Sequence, residues 1–183
     1  CRASDRVPGV STPVLEALRE LLDEDLDGVT STPEGLRAVA DARWGEVTLG
    51  IDQDEDGPDA DEIALRVSAA IAPPAGAGHE LLLWALSTNT QYWAVKIGLT
   101  EDGMLLVHAD LDADGPEPDG LLAADVMDRV ESILQLLDED LSEWCLVHGF
   151  GTPAQRARWE SRRPERALDE DDDDDDEEGG RGG

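Results

Sequence analysis

Two stretches of this chain carry acids at the spacing of a calcium loop. One is DQDEDGPDADEI, starting at Asp52; the other is DLDADGPEPDGL, starting at Asp110. Each puts Asp at its first, third and fifth positions and Gly at its sixth, where an EF-hand supplies carboxylate oxygens and a sharp turn. Both fail at the twelfth position, which should be a bidentate Glu and is Ile63 or Leu121. The eighth position is Asp59 or Glu117 instead of an apolar residue, and neither stretch is flanked by a pair of helical patterns. They are expected to be acidic interstrand loops, able to hold a divalent cation only weakly through their oxygen donors. No metal site is assigned.

A second pattern is Cys145-Leu146-Val147-His148. A structural zinc site takes four nitrogen or sulfur ligands, and only His79, His108 and Cys1 remain to complete one. A nucleophilic Cys–His pair would need an oxyanion site, and the sequence offers none. A buried helix cysteine beside a helix-end histidine is the expectation. Five tryptophans stand beside one Tyr and one Phe. Trp44, Trp84, Trp93 and Trp144 are expected in the core, while Trp159 lies among arginines. No catalytic residue and no cofactor is assigned, and the chain is not expected to be an enzyme.

The elements that hold these residues follow from periodicity. In STPVLEALRELLDEDLDG, Ser11 and Thr12 are candidate N-caps and Pro13 suits the first helical position. Leu15, Leu18, Leu22 and Leu26 then fall on one helical face, and Gly28 ends it. From Gly35 the period changes to two. LRAVADARW and EVTLGID alternate around a turn at Trp44-Gly45, and EIALRVSAAIA alternates with Ile63, Leu65, Val67, Ala69 and Ile71 on one side. GHELLLWALSTNT predicts a short helix with Asn89 near its end. A hairpin comes next. Trp93, Val95, Ile97 and Leu99 share one face of its first strand, and Leu105, Val107, Ala109 and Leu111 one face of its second. Thr100-Glu101-Asp102-Gly103 joins them, and its Asp-Gly is a strong hairpin signal between alternating runs. From Leu121 a long helix carries Leu122, Val126, Val130, Ile133, Leu134, Leu137, Leu141 and Trp144 in one stripe, ending near Gly149.

The fold class expected is therefore α+β, an antiparallel sheet with α-β-β-β-α-β-β-α order. Residues 1–10 are expected to be disordered and 11–151 to form a single domain. Residues 152–183 are expected to be a tail, Arg-rich and then acidic. The net charge is −30, and ten acids form one run from Asp169 to Glu178; about −20 remains without it. Phosphate repels such a surface, so nucleic acid is excluded as a partner. No apolar run approaches the ~20 residues of a membrane span. Cys1 at the first position is expected to be the edge of a trimmed fragment, with a processed lipoprotein as the alternative. The expected location is the cytoplasm, with a lipid anchor through Cys1 as the alternative.

LLLWALSTNTQYWAVKIGLTEDGMLLVHADLD and the closing helix LLAADVMDRVESILQLLDEDLSEW resemble YbjN-type proteins. The element order resembles the related type III secretion chaperones of the Tir-chaperone kind. The resemblance spans residues 11–148 and brings no catalytic motif. It implies a small, acidic, non-enzymatic binding domain, often a homodimer, whose chaperone members bind extended secretion segments of partner proteins. A protein partner or secreted client is therefore expected. The alternative is a regulatory or structural acidic protein without a client, acting through its tail. The second face of the hairpin carries Tyr92, Lys96, Met104, Leu106 and His108, too apolar for an ordinary solvated face. Tyr92, Met104 and Leu106 are the expected partner-binding residues.

Overall fold

Alternating apolar side chains commit the middle of the chain to a sheet with one buried face. The computed structural model describes residues 13–23, 26, 28–53, 62–92, 94–114 and 120–163. Its elements are α1 (Pro13–Leu22), β1 (Thr30–Thr32), β2 (Gly35–Asp41), β3 (Glu46–Gln53), β4 (Glu62–Ile71), α2 (Gly78–Thr88), β5 (Lys96–Leu99), β6 (Leu105–Asp114), α3 (Gly120–Gln135), a π-helical turn (Leu136–Leu141), α4 (Ser142–His148) and α5 (Pro153–Ser161). The fold is α+β, as the sequence patterns require. The six strands form one sheet in the order β1-β2-β3-β4-β6-β5, and every neighbouring pair is antiparallel.

Register puts the apolar sets in line. Leu36 faces Ile51, Leu49 faces Ala69, Val67 faces Ala109 and Ile97 faces Val107. All of these are buried, and they join Leu18 and Leu22 of α1 and Val126, Val130 and Ile133 of α3 in one core. Helix α1 packs on β1, β2 and α3; α3 packs on β4 and β6; α2 packs on β5. The alternate residues of the strands point away from this core. Arg37, Thr48, Arg66, Lys96, Leu106 and His108 are among them, and none of these belongs to the core cluster.

Three local features differ from the sequence reading. The first run holds four strands, because Thr32-Pro33-Glu34-Gly35 turns a three-residue β1 back onto β2. The hairpin of β5 and β6 turns through three residues, Glu101, Asp102 and Gly103. Thr100 N–H donates to Met104 O at 3.0 Å, and Gly103 adopts φ +82°, a left-handed conformation that suits glycine. The closing helix is continuous from Gly120 to His148 but widens by one π turn, where Ser142 N–H reaches back five residues to Leu137 O.

The largest difference lies past residue 151, where the sequence reading ends the domain. Thr152 and Gln155 form a reciprocal capping box, Pro153 starts the helix, and α5 follows. Trp159 is 0% exposed. Its ring stacks on Trp44 with centroids 4.9 Å apart, and its carbonyl accepts from Arg43 Nε at 2.7 Å. Asp138 of the π turn accepts from the backbone N–H groups of Arg43 at 2.9 Å and Trp44 at 2.8 Å. Residues 153–161 are thus part of the folded domain. A single buried aromatic on an otherwise polar helix gives no periodic signal, so the sequence pattern read as tail. Residues 1–10, the acidic run and Trp93 lie outside the described residues. Among the described residues no helix is long and apolar enough to cross a membrane.

Candidate protein-binding surface

The strand face turned away from the helices brings together four of the five residues singled out on the hairpin. Leu106 sits on β6 between Ala70 of β4 and Gly98 of β5. Both neighbours are small, so its side chain stands over low ground and remains partly exposed. Met104 continues the same row beyond the strand end and is also partly exposed. His108 follows, between Ser68 and Lys96. Burial pushes the His108 imidazole below its ordinary range, against the pull of Asp110, whose Oδ1 lies 3.8 Å from Nδ1. Arg66 closes the row with an ion pair to Asp110 at 2.7 Å.

Tyr92 is not part of this row. Residues 89–92 continue the end of α2 as turns, with Gln91 N–H and Tyr92 N–H both donating to Thr88 O, and β5 starts only at Lys96. The Tyr92 ring packs against the core, and its hydroxyl donates to Asp140 of the π turn. That hydrogen bond and burial push the phenol up to about 12.

A larger apolar surface lies on α2, where the sequence reading assigned no contact. The helix buries Leu81, Ala85 and Thr88. Leu82, Leu83 and Leu86 are left 43%, 61% and 65% exposed. Residues three and four apart are neighbours on a helix, so these three leucines form one patch. Leu99 at the end of β5 is 46% exposed. The signal is present in the sequence: ELLLWAL has more apolar residues than one stripe can use. On the flank of α2, Trp84 meets Trp144 of α4 at 5.7 Å, and Trp144 meets His148 at 5.3 Å and Phe150 at 5.0 Å.

The groups with chemical potential are otherwise engaged. Cys145 is 0% exposed, and burial raises its thiol to about 12, so it carries its proton at neutral pH. His148 lies on an aromatic cluster. The first acid of each calcium-like loop is paired to an arginine, Asp52 with Arg37 and Asp110 with Arg66, each at 2.7 Å. Most of the remaining loop positions lie outside the described residues. No group of three or more metal-ligating side chains occurs among the described residues.

No protein-family model matches this sequence, and no curated protein does. Among solved structures the chain is similar to YbjN from E. coli, at 13% identity and a TM-score of 0.45, covering 79% of this chain and 99% of that one. It is also similar to the Yersinia pestis type III secretion chaperone SycH, solved in complex with a stable fragment of YscM2. That match has 18% identity and a TM-score of 0.35 and covers 67% of this chain and 98% of SycH.

Proposed function

We propose that this chain is a non-enzymatic, chaperone-like protein-binding module that holds a segment of a partner protein on exposed apolar surface. The observation that carries the reading is the leucine patch of α2, where Leu82, Leu83 and Leu86 stand in solvent. Contiguous exposed apolar surface marks contact sites, whereas scattered apolar residues do not. Covering what remains exposed of one such leucine contributes about 1 kcal/mol, roughly half the value for a fully exposed side chain. The three together offset part of the free energy that ordering a bound segment costs. Met104 and Leu106 offer a second, flatter contact on the open strand face. An extended or amphipathic segment fits these surfaces, since its side chains supply the apolar partners. A second copy of the chain, meeting the same leucines across a two-fold axis, is the competing occupant.

The test uses a permanently unfolded polypeptide, reduced and alkylated, as the client probe. Binding is read by fluorescence anisotropy, and mass by sedimentation. The wild-type chain should bind the probe. Leu83→Asp with Leu86→Asp should leave circular dichroism unchanged and weaken binding at least about tenfold, the equivalent of ~1.4 kcal/mol. Met104→Glu with Leu106→Glu should remain folded and weaken it less. Loss of a dimer without loss of probe binding would assign the patch to self-association. Binding lost only when residues 164–183 are removed would favour action through the tail. A wild-type chain that binds no probe, or folded variants that bind it fully, would overturn the proposal.

A further inference from the structure

The sheet ends at β5, a strand of only four residues, Lys96–Leu99, paired on one side with β6. Antiparallel ladders alternate between residues that bond the partner strand and residues that turn their N–H and C=O away from it. Thr100 bonds Met104 across the hairpin, so the bonded class continues through Gly98 and Lys96. Ile97 lies between those two and directs its backbone groups at the free edge.

Both groups are taken by one side chain. Ile97 N–H donates to Asn89 Oδ1 at 2.8 Å, and Asn89 Nδ2 donates to Ile97 O at 2.9 Å. A carboxamide offers an acceptor and a donor in one plane, as a peptide group does. Asn89 therefore stands where the backbone of a neighbouring strand would stand. Helix α2 holds it there, since Asn89 N–H donates to Ala85 O at 2.9 Å in the last helical turn.

We infer that Asn89 is an edge guard, closing β5 against pairing with the β5 of a second copy. A free edge with unpaired backbone groups is a template for strand addition. The sequence of β5, Lys-Ile-Gly-Leu, has one charge to oppose it, and Leu99 is exposed. A second β5 is the fitting occupant, because antiparallel pairing about a two-fold axis through Ile97 would exchange the same two hydrogen bonds between copies. The guard is independent of the client reading, which concerns side chains on α2 and the strand face. Asp at position 89 would keep the acceptor and lose the donor; Ala would lose both.

The experiment compares the full chain with Asn89→Ala by amide hydrogen exchange in NMR and by sedimentation velocity over a concentration series. In the wild type, the Ile97 amide should be protected despite its place at the sheet edge. In Asn89→Ala, its exchange should quicken about tenfold or more, the loss expected for one hydrogen bond. The variant's mass should also climb with concentration above the wild-type value, and adding Leu99→Lys should return it to that value. An Ile97 amide unprotected in the wild type would overturn the inference. A faster amide with wild-type mass at every concentration would overturn it too, leaving the two bonds purely structural. Should Asn89→Ala fail to fold, Asn89→Asp tests the edge by mass alone, since it keeps the acceptor for Ile97 N–H and loses the donor to Ile97 O: a mass that climbs with concentration supports the inference, and a wild-type mass overturns it.

Discussion

The Tyr92 hydroxyl donates a hydrogen bond to Asp140, and three effects hold its proton in place. The hydrogen bond needs the O–H, burial disfavours the phenolate, and the negative charges of Asp140 and Glu139 disfavour it further. The folded phenol is thereby raised from 10.0 to about 12. A raised acid stabilises the fold while it keeps its proton. Its contribution is complete below the unfolded value and disappears as pH climbs from 10 towards 12. The chain has one tyrosine, so the titration belongs to a single group. Phenolate absorbance followed against pH should give a midpoint near 12. In Asp140→Asn the midpoint should fall towards the ordinary value, with circular dichroism tracking the fold in parallel. A midpoint that ignores the Asp140 change would show that the hydroxyl is held by something else. The same residue shows how a side chain's role can hide from a pattern. Alternation places Tyr92 on a strand with Lys96, but the turns after α2 delay that strand.

Helix α5 is the element whose role changes most between sequence and structure. Its surface is polar, and a single ring carries its packing. A chain ending at Gly151 leaves Trp44 without its stacked partner and Arg43 Nε without the Trp159 carbonyl. Removing a buried Trp costs about 3–5 kcal/mol, which at this chain length lowers Tm by about 10 °C. Trp159→Ala should reproduce most of that drop, and a chain ending at Arg163 should melt close to full length. An unchanged Tm for the chain ending at Gly151 would mean that α5 adds nothing to the fold. Gly151 belongs to the same contact: it adopts φ +88°, and a Cβ there would meet the Trp159 ring at 2.7 Å. The elements that alternation could reveal were legible, because strands β2 to β6 bury one face each and the period states which. The stripe of the closing helix was legible for the same reason, though not its π turn, which depends on what Asp138 and Asp140 reach. The place of Met104 and Leu106 on the open strand face was legible from strand parity. The α2 patch left a signal in the surplus of apolar residues in ELLLWAL, but not which of them are exposed, since an apolar residue on a short helix looks the same in sequence whether buried or exposed.

At the scale of the whole molecule, electrostatics is governed by a net charge of −30. Like charges spread over a compact surface repel, and unfolding relieves that repulsion. Salt weakens both this repulsion and the attraction within ion pairs, with opposite effects on stability. The pairs Arg37–Asp52 and Arg66–Asp110 are in contact at 2.7 Å. Surface pairs of this kind contribute about 0–1 kcal/mol each. The screening length falls from about 10 Å at 0.1 M to about 3 Å at 1 M, so long-range repulsion is removed while contact pairs persist. Stability should therefore rise with sodium chloride, read as an increasing Tm, and a falling Tm would show that the pairs outweigh the repulsion. Calcium separates this from a specific site. Binding that is equal in the folded and unfolded chain leaves stability unchanged, whereas a folded loop site would stabilise the native state alone. With Asp52 and Asp110 already held by arginines, and Ile63 and Leu121 where an EF-hand has its bidentate Glu, neither loop is expected to complete a calcium sphere. At matched ionic strength, calcium chloride should give the same Tm as sodium chloride, and calorimetry should find no micromolar site. A calcium-specific rise in Tm that vanishes in Asp54→Ala would restore the loops as ion sites.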